Sequence, residues 1–183
     1  VALGSQQGGS YIFSIPDDFV ATTDEGNVAR FNNLSIYEGI YLQKTFQIDY
    51  SQPNQRFILP NANTDTSTLT VRIQTSAENT NVYTYTIAND TTTVTSTSNV
   101  YFLEEAEDGK YEVIFGDDVI GRKPVSGNII LLSSLIADGQ DPNGASTFNP
   151  VGSVGGYSNV SVSTLTAASG GSLRDSIEKI KFN

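Results

Sequence analysis

The chain has 183 residues and a formal net charge of −10, from 20 acidic and 10 basic side chains. The acidic balance argues against binding to nucleic acids and against attraction to anionic membranes. The sequence has no apolar run of about 18 residues, which argues against membrane insertion. Cys and His are absent, which excludes disulfides, thiolate or imidazole metal sites, and Ser–His or Cys–His nucleophiles within this sequence.

The first half of the chain contains short stretches in which apolar and polar residues alternate, the pattern of half-buried strands. Between them lie polar or Gly-containing stretches such as 17–33 and 60–67, which predict loops. The segment 89–98 is almost entirely Thr and Ser. The predicted strands of this half are residues 11–15, 35–50, 56–59, 69–75 and 82–88.

A hairpin is the clearest prediction from the sequence. Apolar residues alternate with polar ones on both sides of Glu107-Asp108-Gly109-Lys110. An Asp-Gly pair between two alternating stretches favours a type I′ turn, in which Gly109 has a positive φ. The alternating apolar residues are Val100, Phe102, Tyr111, Val113 and Phe115.

Two further turns follow the hairpin. Phe115-Gly116-Asp117-Asp118 predicts a sharp corner, with a positive φ at Gly116 and with Asp117 bonding nearby backbone N–H groups. The segment 124–128 predicts the next turn, which leads into the apolar run 129–132. We therefore expect three consecutive strands with tight connections.

The last part of the chain combines loop, strand and helix signals. Residues 136–148 predict a turn-rich loop, and residues 158–165 alternate again as a strand. Residues 172–182 have helical spacing, with Ser172 as the N-cap and an apolar stripe of Leu173, Ile177 and Ile180. About nine short strands and one helix predict a mainly β chain.

The expected architecture is an antiparallel β-sandwich or a partly open barrel, with hairpins and one short C-terminal helix. Residues 1–169 form the β-sandwich-like region, which could consist of two subdomains joined near 95–99. Residues 170–183 are predicted to begin a helix that belongs to a following domain.

No catalytic, cofactor-binding or metal-binding residue is predicted. Four acidic pairs occur, but solvated turns and strand edges are the favoured interpretation. The segment 138–144 lacks the alternating ligands and distal Glu of a Ca²⁺ loop. Gly152, Gly155 and Gly156 do not form a phosphate-binding pattern. The acidic pairs are Asp17-Asp18, Asp24-Glu25, Glu104-Glu105 and Asp117-Asp118.

Four phrases of the sequence, in the same order, resemble the baseplate wedge protein of T-even-like contractile-tailed bacteriophages, a family related to the baseplate-J proteins. The most extensive one, VYFLEEAEDGKYEVIFGDDVIGRKPVSGNI, covers residues 100–129. The others are IYEG at 36–39, RFILPN with DTSTLTV at 56–61 and 65–71, and the stretch 170–183. In the family this last stretch continues into further sequence, which implies that the chain is part of a longer subunit.

The resemblance implies a structural role without catalysis or cofactors. The full-length protein would form a homodimer and join other wedge subunits. Wedges would link into a ring that rearranges when the tail sheath contracts. The location would be the tail baseplate of the virion, assembled in the host cytoplasm.

Two other function classes stay open on the residues alone. One is a carbohydrate-binding or adhesin-like β-sandwich module of a tail or cell-surface protein. The other is a polysaccharide-cleaving tail protein that uses a pair of carboxylates.

Overall fold

A computed structural model describes residues 1–6, 8–15 and 18–172. The chain is mainly β, as predicted, with 39% of the described residues in strands. All of the predicted helix at 172–182 except residue 172 lies outside the described part. The strands are β1 (Ala2–Gln6), β2 (Gly9–Ser14), β3 (Tyr37–Glu38), β4 (Ile40–Gln47), β5 (Thr64–Gln74), β6 (Val82–Ile87), β7 (Val100–Glu105), β8 (Tyr111–Phe115), β9 (Ile129–Ile136) and β10 (Thr147–Pro150). A short 3₁₀ turn covers Thr91–Thr93, and a tight turn with a positive φ at Asp108 covers Glu107–Gly109.

The chain divides into two compact units. The first consists of Val1–Ile40 and the segment that starts at Ala137, and the second is Tyr41–Ile136. The boundaries therefore differ from the one suggested near 95–99. That segment lies inside the second unit, where the carbonyl of Thr95 accepts a hydrogen bond from Gly121 N–H at 3.1 Å.

The first unit contains a four-stranded antiparallel sheet with the order β10-β1-β2-β3. Its small core is built around Phe13, Ala145 and Phe148, and the two rings meet edge-on at 4.9 Å between centroids. Gly4 allows this packing, because a Cβ there would lie 2.4 Å from the Phe13 ring. β1 and β10 were not predicted, since neither shows strong apolar alternation.

The second unit contains a six-stranded sheet with the order β4-β9-β5-β6-β7-β8. Strands β5 and β9 place alternate residues in the core, and Val71 and Ile130 have no exposed surface. In their register Val71 faces Leu132 and Ile73 faces Ile130. One of the two sheets formed by the described residues curls into a half-barrel, in line with the partly open barrel expected from the sequence.

Aromatic side chains extend this core. The rings of Phe46, Phe57, Phe115 and Tyr85 form a series of edge-to-face contacts, with centroid distances of 5.6, 5.8 and 5.5 Å. Edge-to-face contacts of this kind stabilise a protein beyond the contribution of the buried area alone. These four rings therefore pack the core of the second unit.

The pairing of two strands differs from the antiparallel prediction. β6 and β7 are parallel, with Thr86 beside Val100 and Ile87 beside Tyr101. The polar segment between them contains a 3₁₀ turn rather than a hairpin turn. After this segment, β7 runs in the same direction as β6. The six-stranded sheet is consequently mixed.

The expectation of three consecutive strands with tight connections is correct for β7 and β8 and wrong for β9. β7 and β8 form an antiparallel hairpin, in which Phe102 pairs with Ile114. β9 instead lies between β4 and β5. β8 lies at the opposite end of the sheet order from β4 and β9.

Two predicted strands are not strands in the structure. The segment 56–59 forms an isolated bridge, Ile58 to Glu112, supported by hydrogen bonds from Leu59 N–H to Tyr111 O and from Val113 N–H to Phe57 O. It therefore lies along β8 without a regular ladder. The segment 158–165 has no strand partner among the described residues and is largely exposed.

Candidate functional site

The turn of the β7–β8 hairpin has the conformation that the sequence predicts. Asp108 and Gly109 have φ values of 58° and 69°, as the central residues of a type I′ turn require. Lys110 N–H donates to the carbonyl of Glu107 at 3.2 Å. The Asp108-Gly109 pair therefore forms the tight turn that connects β7 to β8.

An arginine ties this turn to the segment beside β8. The Arg56 guanidinium donates to Glu112 Oε2 from Nε at 2.9 Å and to Glu107 Oε1 from Nη1 at 2.8 Å. The hydrogen bond from Arg56 lowers the pKa of Glu107, and both carboxylates raise the pKa of Arg56. Both carboxylates are therefore used in an ion-pair network that fixes the turn.

The segment from Asp117 to Lys123, here called the aspartate loop, is organised by two carboxylates. Asp117 Oδ1 accepts from the backbone N–H of Ile120 at 2.9 Å and of Val119 at 3.0 Å. These bonds, with Ile120 first, lower the pKa of Asp117. Asp118 Oδ1 accepts from Lys123 N–H at 2.9 Å. The prediction that Asp117 bonds nearby backbone N–H groups is confirmed.

The expected positive φ at Gly116 is wrong. The residues with positive φ at this corner are Asp118 at 68° and Gly121 at 84°. Gly116 is needed for a different reason, since a Cβ there would lie 2.2 Å from the carbonyl oxygen of Gly121. The base of the aspartate loop is therefore closed by direct contact between two backbone segments.

The aspartate loop presents apolar side chains to solvent. Val119 is 72% exposed and Ile120 is 44% exposed, although the surrounding backbone is well bonded. Sequence reasoning identified the acidic residues here and missed these two. The available signal was an apolar pair placed between Asp118 and Gly121, where a solvated turn normally carries polar residues.

The other acidic pairs in the described residues lie in a turn and on a strand. Asp24 accepts from the N–H groups of Gly26 and Val28 and pairs with Arg30, which fits the predicted turn role. Glu104 lies on β7, opposite Glu112 of β8. Asp17 lies outside the described residues.

Hydrogen bonds between side chains and the backbone hold the turn-rich loop that begins at Asp138. Asp138 N–H donates to Glu38 Oε2 at 3.0 Å, and burial, reinforced by the charge of Asp138, raises the pKa of Glu38. The Asn143 amide exchanges two hydrogen bonds with the backbone of Gly171. Within the described ranges, no group of three or more acidic side chains has the arrangement of a metal site.

A shallow depression lies on the second unit between β4, β9 and β5. It encloses about 70 Å³ and is lined by Lys44, Arg72 and Leu131, among others. Small-molecule sites usually enclose several hundred Å³. The depression is therefore too small to be a strong ligand-site candidate, and the aspartate loop is the better candidate for a functional surface.

No helix in the described part of the chain has both the length and the apolar character needed to cross a membrane. No protein-family model matches the chain, and no curated protein matches it either.

Proposed function

We propose that the chain is part of a structural subunit of a phage tail baseplate wedge. In this role it mediates contacts between subunits of the baseplate ring. The resemblance over residues 36–39, 56–71, 100–129 and 170–183 supports this proposal. The proposal is also consistent with a β scaffold in which acidic side chains stabilise turns and form an ion-pair network.

The observation that carries the proposal is the aspartate loop, which lies within the most extensive segment of resemblance. Its backbone is fixed by Asp117, Asp118 and the contact of Gly116 with Gly121. Ordering a flexible loop opposes binding, so a loop that is already ordered loses less entropy at an interface. Val119 and Ile120 can therefore act as preformed apolar contacts for another protein.

In such an assembly the unit would act through its surfaces rather than by a reaction. A rigid loop on a packed sheet transmits displacement to a neighbouring subunit, as a rearranging ring requires. The net charge of −10 favours a basic or neutral face on the partner. Association should weaken with added salt wherever charges at the rim assist the encounter.

The test uses the full-length parent protein mixed with its neighbouring wedge proteins and observed by negative-stain microscopy. We expect wedge or ring assemblies from the wild type. The double substitution Val119→Ser, Ile120→Ser should weaken association at least about tenfold, because it removes the exposed apolar contacts. The matched control is Val82→Ser, Ile87→Ser, since these residues of β6 are each 43% exposed in the same unit.

Two results would contradict the proposal. One is a parent that stays monomeric in every mixture, and the other is normal assembly by the aspartate-loop variant. Glycan-array binding would then favour the carbohydrate-binding alternative. Release of sugars from host polysaccharide would favour the enzymatic one.

A further inference from the structure

Residues 158–166 have the composition of a strand but no strand partner among the described residues. Positions 160, 162, 164 and 166 are Val, Val, Thr and Thr, so one face of an extended segment would be β-branched throughout. Within the described part of the chain, none of 158–166 makes a backbone hydrogen bond. Val162 is 50% exposed and Leu165 is 71% exposed.

A local turn precedes this segment, and an anchored residue follows it. Before it, Val154 and Tyr157 exchange backbone hydrogen bonds at 2.9 and 3.0 Å. After it, Ala168 N–H donates to Ala145 O at 2.8 Å, and Gly144 N–H donates to Ala168 O at 2.8 Å. The segment therefore lies between a local turn and an anchored residue, and its backbone groups make no backbone hydrogen bond with the described residues.

The same chain carries a sheet edge that can accept a strand. Within the described residues, β4 ends the six-stranded sheet and has β9 as its neighbour on one side. Its residues 42–45 are exposed. Proteins usually protect such edges with charges, Pro or bulges, and residues 42–46 carry one charged side chain, Lys44.

We propose that residues 158–166 of one copy add as a strand to the edge of β4, along residues 42–46, in a second copy. An extended segment on a sheet edge gains main-chain hydrogen bonds, and alternate side chains fix its register. The sequence from 142 to 173 has no charged residue, so no like charge opposes Lys44. This inference does not depend on the proposed baseplate role.

Donor and acceptor are different surfaces of the chain, so the contact is heterologous. Repeated head-to-tail addition gives chains or closed rings, rather than a dimer through one shared patch. Self-association should therefore increase with protein concentration beyond the dimer unless a ring closes.

The first experiment uses a labelled peptide of residues 157–167, titrated with the dilute full chain. We expect saturable binding and slower amide exchange at residues 42–46. Peptides with Ser161→Pro and Val162→Pro form a matched pair. Alternate N–H groups of an added strand face the acceptor, so one Pro removes a donor to β4 while the other faces solvent. One of the pair should bind at least about tenfold more weakly and the other should largely retain binding.

The second experiment places the same two substitutions in the chain and measures association by sedimentation equilibrium. The segment is exposed, so both variants should retain the wild-type circular dichroism spectrum. The variant that weakens the peptide should weaken self-association to a similar extent.

Three results would overturn the proposal. The first is equal binding of both Pro peptides and the wild-type peptide. The second is the absence of any change in exchange at residues 42–46. The third is that the dilute wild-type chain does not bind the peptide while the Val162→Pro chain does. In that case the segment would already pair within its own chain.

Discussion

At Gly116 the absence of a side chain determines how closely two backbone segments approach. A Cβ would lie 2.2 Å from Gly121 O, and neither backbone can move without disturbing the aspartate loop. Gly116→Ala should therefore lower the free energy of unfolding by about 1–3 kcal/mol, measured by urea denaturation. Amide exchange at Val119 should also become faster.

Gly127→Ala is the comparison for this prediction. Gly127 has a φ of 92°, and a Cβ added there would meet no atom within 4 Å, so backbone strain is the sole cost, about 1 kcal/mol. Equal effects of the two substitutions on exchange at Val119 would show that the contact between Gly116 and Gly121 is unimportant.

The ion pair of Arg56 gives a prediction about pH. Its hydrogen bond keeps the pKa of Glu107 below the ordinary value of 4.5. The stabilisation is therefore present above 4.5 and is lost as the pH falls through the lower folded-state pKa. Arg56→Gln should return the pKa of Glu107 towards its ordinary value, as followed by NMR titration of the carboxyl carbon. Arg122→Gln should leave it unchanged, and an equal shift in both variants would contradict the assignment.

The pKa of Glu38 is shifted in the opposite direction to that of Glu107. Burial, with the charge of Asp138, raises its pKa above the ordinary 4.5. A raised folded-state pKa gives a contribution that is full below 4.5 and lost as the pH rises through the raised value. Glu38→Gln keeps an acceptor for Asp138 N–H without the charge, so it should be more stable than the wild type at pH 7. This difference should disappear in acid, and urea denaturation at both pH values tests it.

Glu38→Ala separates the two roles of this side chain. It removes the charge together with the acceptor for Asp138 N–H, so it should show less gain at neutral pH than Glu38→Gln. The same gain in both variants would mean that the hydrogen bond at 3.0 Å contributes nothing.

Among the elements, the β7–β8 hairpin was predictable because its determinants are local. The turn residues Asp108 and Gly109 and the alternation on either side lie within about 16 residues of sequence. Gly109→Val should cost on the order of 1 kcal/mol or more, because Gly109 has a φ of 69°. Thermal or urea unfolding measures this effect, and free tolerance of Val would show that the turn can adopt another conformation.

The elements that the sequence did not predict depend on distant partners. β1 is formed by a Gly- and Ser-containing stretch, and it is a strand because β2 and β10 lie on either side of it. The parallel pairing of β6 with β7 likewise depends on where the chain returns after Thr91–Thr93. Residues 158–165 show the reverse case, in which a strand pattern has no partner among the described residues of its own chain.

In the candidate site, as in the fold, the local contacts were predictable from the sequence and the contacts through space were not. Asp117 was expected to bond backbone N–H groups, because short-range turn chemistry determines that contact. The role of Gly116 was misassigned, because its constraint comes from Gly121 through space. Exposure of Val119 and Ile120 depends on how the whole loop folds.

At the scale of the whole molecule, each unit has its own core, so substitutions should have unequal effects according to burial. Ile130 is fully buried in the second unit, and Ile130→Ala should cost about 2–5 kcal/mol in urea denaturation. Ile87 is 43% exposed in the same unit, and Ile87→Ala should change stability by about 0.5 kcal/mol. Similar losses at both positions would contradict the described core.

The position of β9 between β4 and β5 has a consequence for synthesis on the ribosome. Both flanking strands leave the ribosome well before the strand that separates them. Ribosomes add about 5–20 residues per second, so roughly 3–12 s pass between the end of β5 and the end of β9. During that interval β4 and β5 have no central partner, and a premature hairpin between them would have to open. The nascent chain therefore passes through a period in which chaperones that shield strand edges would protect it from misfolding.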